Sequence, residues 1–190
     1  MKRRDFLLGA SAAAITWGQA NAAGAFFTGY PNDIRDWTAR YFKAAEFASR
    51  GNGKLRNLKR KVAALDDIRA TVGHPIVILS GHRDEAYNRK IGGARYSRHV
   101  VGDAVDISLR GLSDIRRYQL MWLLLSKGFM SFGSYARYPT MLHADMRPEA
   151  RIWRYGGGNH AAWFSQALAD WGWQRGVGAN RRPQAILAQK

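Results

Sequence analysis

The sequence predicts an α+β domain, a small antiparallel sheet flanked by helices. Three observations carry this. Short β-branched or alternating runs and longer amphipathic runs follow one another without the regular strand–helix alternation of a doubly wound sheet. No internal repeat and no long linker divides residues 23–175. The chain has 190 residues, 46% of them hydrophobic and 23% charged, enough apolar material for one sizeable core and too much for general disorder.

The elements follow in order. Asp33 to Ala48 carries aromatics and aliphatics at helical spacing, and Gly51-Asn52-Gly53 breaks the chain. Leu55, Leu58, Val62, Leu65, Ile68 and Val72 then recur at threes and fours, the stripe of an amphipathic helix with Arg56, Lys59, Arg60 and Lys61 mainly on its outer face. Pro75 to Leu79 reads as a buried strand ended by Ser80-Gly81, and the polar stretch Asp84 to Arg98 as loop. Ala104 to Leu109 alternates, placing Asp106 and Ser108 on one strand face and Val105 and Ile107 on the other. Ser113 caps a helix from Asp114 to Lys127, which stops at Gly128. Phe129 to Phe132 and Thr140 to Met146 read as strands around a turn with Pro139. Asn159 to Trp173 reads as a helix, and residues 176–190 as a basic tail.

Thirty Lys and Arg against fourteen Asp and Glu give a net charge of +16, which points to anionic surroundings without naming them. Cysteine is absent, which excludes disulfide scaffolds, thiolate metal sites and cysteine nucleophiles. Any metal must therefore be held by histidine and carboxylate. Residues 1–22 read as an export signal. The pair Arg3-Arg4 precedes an uncharged small and apolar run from Phe6, and Ala20-Asn21-Ala22 gives a small-x-small cleavage pattern. Removal after Ala22 would leave a net charge of +14 and no stable membrane span.

Chemistry concentrates at a few positions. Asp106 sits in an otherwise apolar strand, where a carboxylate is costly unless paired or bound to a metal. His99 precedes it by seven residues, and His143 and Asp145 share a strand face two apart. Two imidazoles and a carboxylate make a three-ligand set of the kind that leaves a fourth position open on zinc. The bland alternatives are a salt bridge for Asp106 and a hydrogen-bonded core histidine for His143. Ser97, Glu85 and Asp103 are weaker candidates, the last two reading better as solvated loop residues. His74 reads as structural, His160 has no partner at ligand spacing, and Gly156-Gly157-Gly158 reads as a turn. Trp153, Tyr155, Trp163, Trp171 and Trp173 offer a sugar-stacking surface or, more simply, core and capping groups.

Six blocks occur in one order: Ser80-Gly81-His82-Arg83, Tyr87-Asn88, Gly92-Gly93-Ala94, Ser97-Arg98-His99, Gly102-Asp103-Ala104-Val105-Asp106-Ile107 and Leu142-His143-Ala144-Asp145. Between Ile76 and Arg147 the series resembles the zinc D-Ala-D-Ala carboxypeptidase and murein endopeptidase family, grouped with lysostaphin and the Hedgehog signalling domain. It is most similar to an exported branch with a twin-arginine leader and a distal His-x-Asp motif. The resemblance implies zinc on His99, Asp106 and His143, and Arg83 near the substrate carbonyl or terminal carboxylate. His82 stands where the family has tyrosine. Thr140 stands where many members have the catalytic carboxylate, and threonine cannot act as a base. Asp145 is the nearest replacement, as the base or as a residue orienting a ligand histidine.

The resemblance thus implies an exported peptidase cutting peptidoglycan stems or cross-links, in the periplasm or cell envelope, with residues 23–175 as one zinc peptidase domain. An inactive metal-holding module that binds peptidoglycan is the alternative. A basic nucleic-acid binder is disfavoured by the leader.

Overall fold

The structure is a computed structural model, and it describes residues 37–57 and 59–173. The predicted export signal, residues 33–36 of the first predicted helix, Leu58 and the basic tail lie outside the described residues.

The first predicted helix is corrected over its described part. Residues 37–43 are irregular and only one 3-10 turn forms, Ala44–Phe47. Tertiary bonds replace the helical ones. The backbone N–H groups of Arg40 and Tyr41 donate to the Asp66 carboxylate at 3.1 and 2.8 Å, and Trp37 Nε1 donates to the Phe42 carbonyl at 2.8 Å. Phe42 and Phe47 still reach the core.

Helix α1, Lys59–Val72, follows the predicted stripe. Val62, Leu65 and Ile68 are buried, while Leu55 is buried ahead of the helix rather than in it. Strand β1, Ile78–Ser80, is shorter and later than the predicted run; it forms an edge of the sheet, and Val77 just before it is exposed. The polar stretch expected to be loop contains two helices, α2 (Glu85–Lys90) and α3 (Arg98–Val101). For α2, the Asp84 carboxylate accepts the Tyr87 N–H at 3.0 Å, satisfying one of the donors a helix start leaves open.

Strand β2 is Ala104–Ser108, and α4 is Asp114–Ser126, with Ser113 Oγ accepting the Arg116 N–H at 3.4 Å. Strands β3 (Ser131–Tyr135) and β4 (Met141–Asp145) form a hairpin, and α5 is Ala162–Trp171. Strand β5, Ile152–Tyr155, was not expected.

The sheet order is β1-β2-β4-β3-β5. The first three pairings are antiparallel, but β5 lies parallel to β3, so the sheet is mixed at that edge. Val105, Ile107, Leu142, Ala144 and Phe132 face one core with Leu65 and Ile68 of α1, Leu120, Met121 and Leu124 of α4, and Phe164 of α5. Each fully buried aliphatic or aromatic side chain there contributes about 1.5–3 kcal/mol. Covering one face with helices leaves the other free to carry polar side chains.

Candidate metal centre

Register builds the site. Ser80 of β1 pairs with Asp106 of β2, Asp106 with His143 of β4, His143 with Gly133 of β3, and Gly133 with Trp153 of β5. One cross-sheet row therefore runs through all five strands, and its side chains share a face. His99 enters that face from α3. The turn from α3 into β2 is made at Gly102, whose φ of 89° is left-handed and where a Cβ would stand 2.4 Å from the Arg56 carbonyl oxygen. Only glycine fits there.

His99 Nε2, His143 Nδ1 and Asp106 Oδ1 converge. The separations are 3.2 Å between His99 Nε2 and Asp106 Oδ1, 2.9 Å between His143 Nδ1 and Asp106 Oδ1, and 3.1 Å between the two imidazole nitrogens. All three residues are buried, and their donor atoms lie within 4.8 Å of one another. The other ring nitrogens are occupied. His99 Nδ1 donates to the Gly81 carbonyl at 2.6 Å, and His143 Nε2 to Asp145 Oδ2 at 3.1 Å. These bonds fix which nitrogen each ring turns toward the centre.

Behind His143 the support continues. Asp145, fully buried, accepts from Arg147 Nε and Nη2 at 2.7 and 2.5 Å and from the Arg147 backbone N–H at 3.1 Å. The Arg147 guanidinium lies over the Trp153 ring, 5.2 Å from its centroid, and that ring stands 5.0 Å from the His143 ring. On the other side, Arg83 Nη2 bonds Asp106 Oδ2 and Arg83 Nε donates to Ser80 Oγ at 2.9 Å.

The electrostatics suit a cation. Burial pushes the His99 imidazole down to about 4, although Asp106 opposes it. Burial alone would raise Asp106, but His99 and His143 hold it well below the usual carboxylate range. His143 moves the other way: its bonds to Asp106 and Asp145 outweigh burial and raise it. Asp145 is lowered to about 2, because Arg147 and then His143 outweigh burial. Two imidazole nitrogens and a carboxylate oxygen, without sulfur, are a donor set for zinc or another first-row divalent ion, and the residues fit such an ion. The group opens on a cleft of about 710 Å³.

The predicted ligands His99, Asp106 and His143 are thus brought together. Arg83 joins them through Asp106. Asp145 lies across the imidazole of His143 from the converging nitrogen. Thr140 is exposed at the entry to β4, its carbonyl accepting the Leu109 N–H. His82 turns away from the cleft and bonds the Lys54 carbonyl at 3.0 Å. Asp103 is not a solvated loop residue. It is buried and paired with Arg98, tying α3 to the start of β2. Glu85 is solvated beside Arg89. His160 bonds Ser134 Oγ at 2.9 Å and stacks on Phe164. Among the tryptophans, Trp163 is core, Trp171 packs on Trp122 and Trp173 donates to the Met130 carbonyl, whereas Trp153 faces the site. Gly133, Tyr135 and Arg147 were not anticipated. Nothing in their spacing marks them, because Gly133 and Tyr135 are brought to the site by cross-strand register and Arg147 acts through Asp145.

Fold and site together define an α+β domain with a His–Asp–His metal-binding group on the open face of its sheet. A family model described as Peptidase M15 matches residues 30–145, a segment that holds all three converging residues and Asp145. The chain belongs to the Peptidase M15 family. No curated relative matches it.

Proposed function

We propose that the chain is an exported zinc peptidase that hydrolyses peptide bonds in peptidoglycan stems or cross-links, with cross-link endopeptidase activity the better fit to the distal His-x-Asp pattern. The convergence of His99 Nε2, Asp106 Oδ1 and His143 Nδ1 at the floor of an open cleft is the observation that carries this reading. Bound there, zinc would supply Lewis-acid chemistry to the scissile carbonyl and to the attacking water.

The chain's own residues have distinct tasks. His99, Asp106 and His143 hold the ion. Arg83 fixes the second oxygen of Asp106, and its Nη1, which makes no hydrogen bond to a described residue, is left for a substrate oxygen. Asp145 takes the orienting role: it holds the far nitrogen of His143 and is itself held by Arg147. The cleft wall carries Arg83, Arg98, Arg147 and Arg151. That basic lining suits stems with free carboxylates, as the net charge of +14 left after removal of the leader suits an anionic envelope. The leader at residues 1–22 supports a periplasmic or envelope location.

One observation favours the second reading, an inactive peptidoglycan-binding module. Among the described residues lining the cleft, Asp106 is the only carboxylate, and Thr140 replaces the family's base. Digestion of purified peptidoglycan by residues 23–190, with zinc or chelator and with the His143→Ala variant, separates the two. New muropeptides that disappear with chelator and with the variant support the peptidase, and their masses name the bond. Stoichiometric zinc without any cleavage supports the module.

A further inference from the structure

The cleft needs a hydrogen-bond donor for the oxygen that becomes negative when a carbonyl is attacked. Its arginines are poorly placed to be the sole source. Arg83, Arg98 and Arg147 are each already paired with a buried carboxylate: Asp106, Asp103 and Asp145. Much of their charge is spent before substrate arrives.

Tyr135 differs. It lies two residues beyond Gly133 on β3, hence on the same sheet face as Asp106 and His143, and it lines the same cleft. Its hydroxyl makes no hydrogen bond to any described residue and is not among the sealed polar atoms; the residue lines this cleft and, on its other side, a smaller cavity bounded by Pro139 and Trp163. Its ring is fixed. Tyr155, its register partner on β5, stacks on it with centroids 5.5 Å apart and planes 22° from parallel. Burial first, and the negative charge of Asp106 second, raise the phenol above its ordinary range, so it keeps its proton.

We propose that the Tyr135 hydroxyl is a catalytic donor that hydrogen-bonds the carbonyl oxygen of the scissile peptide as it becomes an oxyanion, with Tyr155 as the positioning residue that holds the phenol in place. This deepens the peptidase reading and rests on it. The step balances simply. Water adds its oxygen to the carbonyl carbon, and the C=O pair moves onto oxygen, where Tyr135 donates a hydrogen bond without giving up its proton. The C–N bond then breaks, and both protons of the water end on the leaving amine, one as the bond breaks and one as the new carboxylic acid ionises. Water and peptide give carboxylate and ammonium.

The test is Tyr135→Phe, which keeps the ring and the Tyr155 stack and removes a hydroxyl that bonds no described residue. Zinc stoichiometry and thermal stability should match the parent chain. Kinetics on isolated cross-linked muropeptides should show kcat reduced by about 10²–10³-fold, with KM within about three-fold. Calorimetry of the zinc-loaded protein with a phosphinate analogue of D-alanyl-D-alanine, whose tetrahedral oxygens mimic the oxyanion, should show affinity weakened by a comparable factor. Unchanged kcat, or reduced kcat with unchanged phosphinate affinity, overturns the assignment. A parent chain that cleaves no muropeptide but binds the phosphinate more tightly than Tyr135→Phe overturns the substrate reading and leaves Tyr135 standing. A parent chain that neither cleaves nor binds the phosphinate overturns both.

Discussion

The indole of Trp153 occupies the space that any side chain on Gly133 would need. The two residues are register partners on β5 and β3, and a Cβ at position 133 would stand 2.6 Å from both Cε2 and Nε1 of the indole. That ring is the wall beside His143. Gly133→Ala must push it away, an overpacking that costs about 1–3 kcal/mol. The expected result is a lower melting temperature together with weaker zinc binding, read by thermal unfolding and by zinc titration. Wild-type values for both would show that Trp153 does not brace His143.

Asp145→Asn separates two roles for one carboxylate. The amide keeps the shape but loses the charge that holds Arg147, and it offers a single oxygen for His143 Nε2 and Arg147 to share. Removing one partner of a buried ion pair costs about 3 kcal/mol or more. Losing the carboxylate behind a ligand histidine weakens metal binding about 10–100-fold. Zinc affinity measured against a competing chelator should therefore fall. If affinity holds and only turnover collapses, Asp145 is the base.

Lys61 gives the fold a pH dependence. It is fully buried on α1, its Nζ donating to Asn57 Oδ1 at 2.5 Å and to the Ala104 carbonyl at 2.9 Å. Burial lowers its pKa to about 7, although Asp103 and Asp106 oppose the shift. An unfolded lysine titrates near ~10.4. Below about 7 both states are protonated, and the cost of burying the charge is fully present. From there up to ~10.4 the unfolded state binds the extra proton, so stability rises with pH, by at most about 1.4 kcal/mol per unit. Urea unfolding of the parent chain and Lys61→Met, at constant zinc between pH 6 and 10, should show the difference moving in favour of lysine above pH 7. A difference that stays flat across the range would mean that Lys61 titrates normally.

What the sequence made legible is what local pattern controls. The alternation from Ala104 and the apolar stripe from Val62 to Ile68 survive in the structure because the core simply takes their apolar faces. His99, Asp106 and His143 were legible because a carboxylate in an apolar strand demands a partner. The helix expected across Asp33 to Ala48 fails in its described part because Asp66, remote in sequence, takes the backbone donors a helix would use. Helix α2 did leave a signal, the Asp84 cap, but it lay in a polar stretch without an apolar stripe. Strand β5 left almost none, having four residues and a partner chosen by parallel register rather than by a hairpin turn. Trp153 and Tyr135 reach the site across strands, a relation that spacing along the chain does not encode.

Zinc should stabilise the folded chain, and the pattern across variants should identify its ligands. An ion that binds only the native state at a free concentration of 100 Kd adds about 2.7 kcal/mol. For a domain of this size that raises the melting temperature by several degrees, and chelator should reverse it. His143→Ala removes one of three converging donors and opens space beside Trp153, so it is expected to melt lower with or without zinc. The informative quantity is the zinc-dependent increment within each variant. That increment should vanish in His143→Ala and in His99→Ala, whereas in Asp145→Asn it should persist but require more zinc, because the three donors remain and only their support is lost. An increment of wild-type size in His143→Ala, measured by calorimetry at matched free zinc, would place the ion elsewhere and remove the basis for the metal centre.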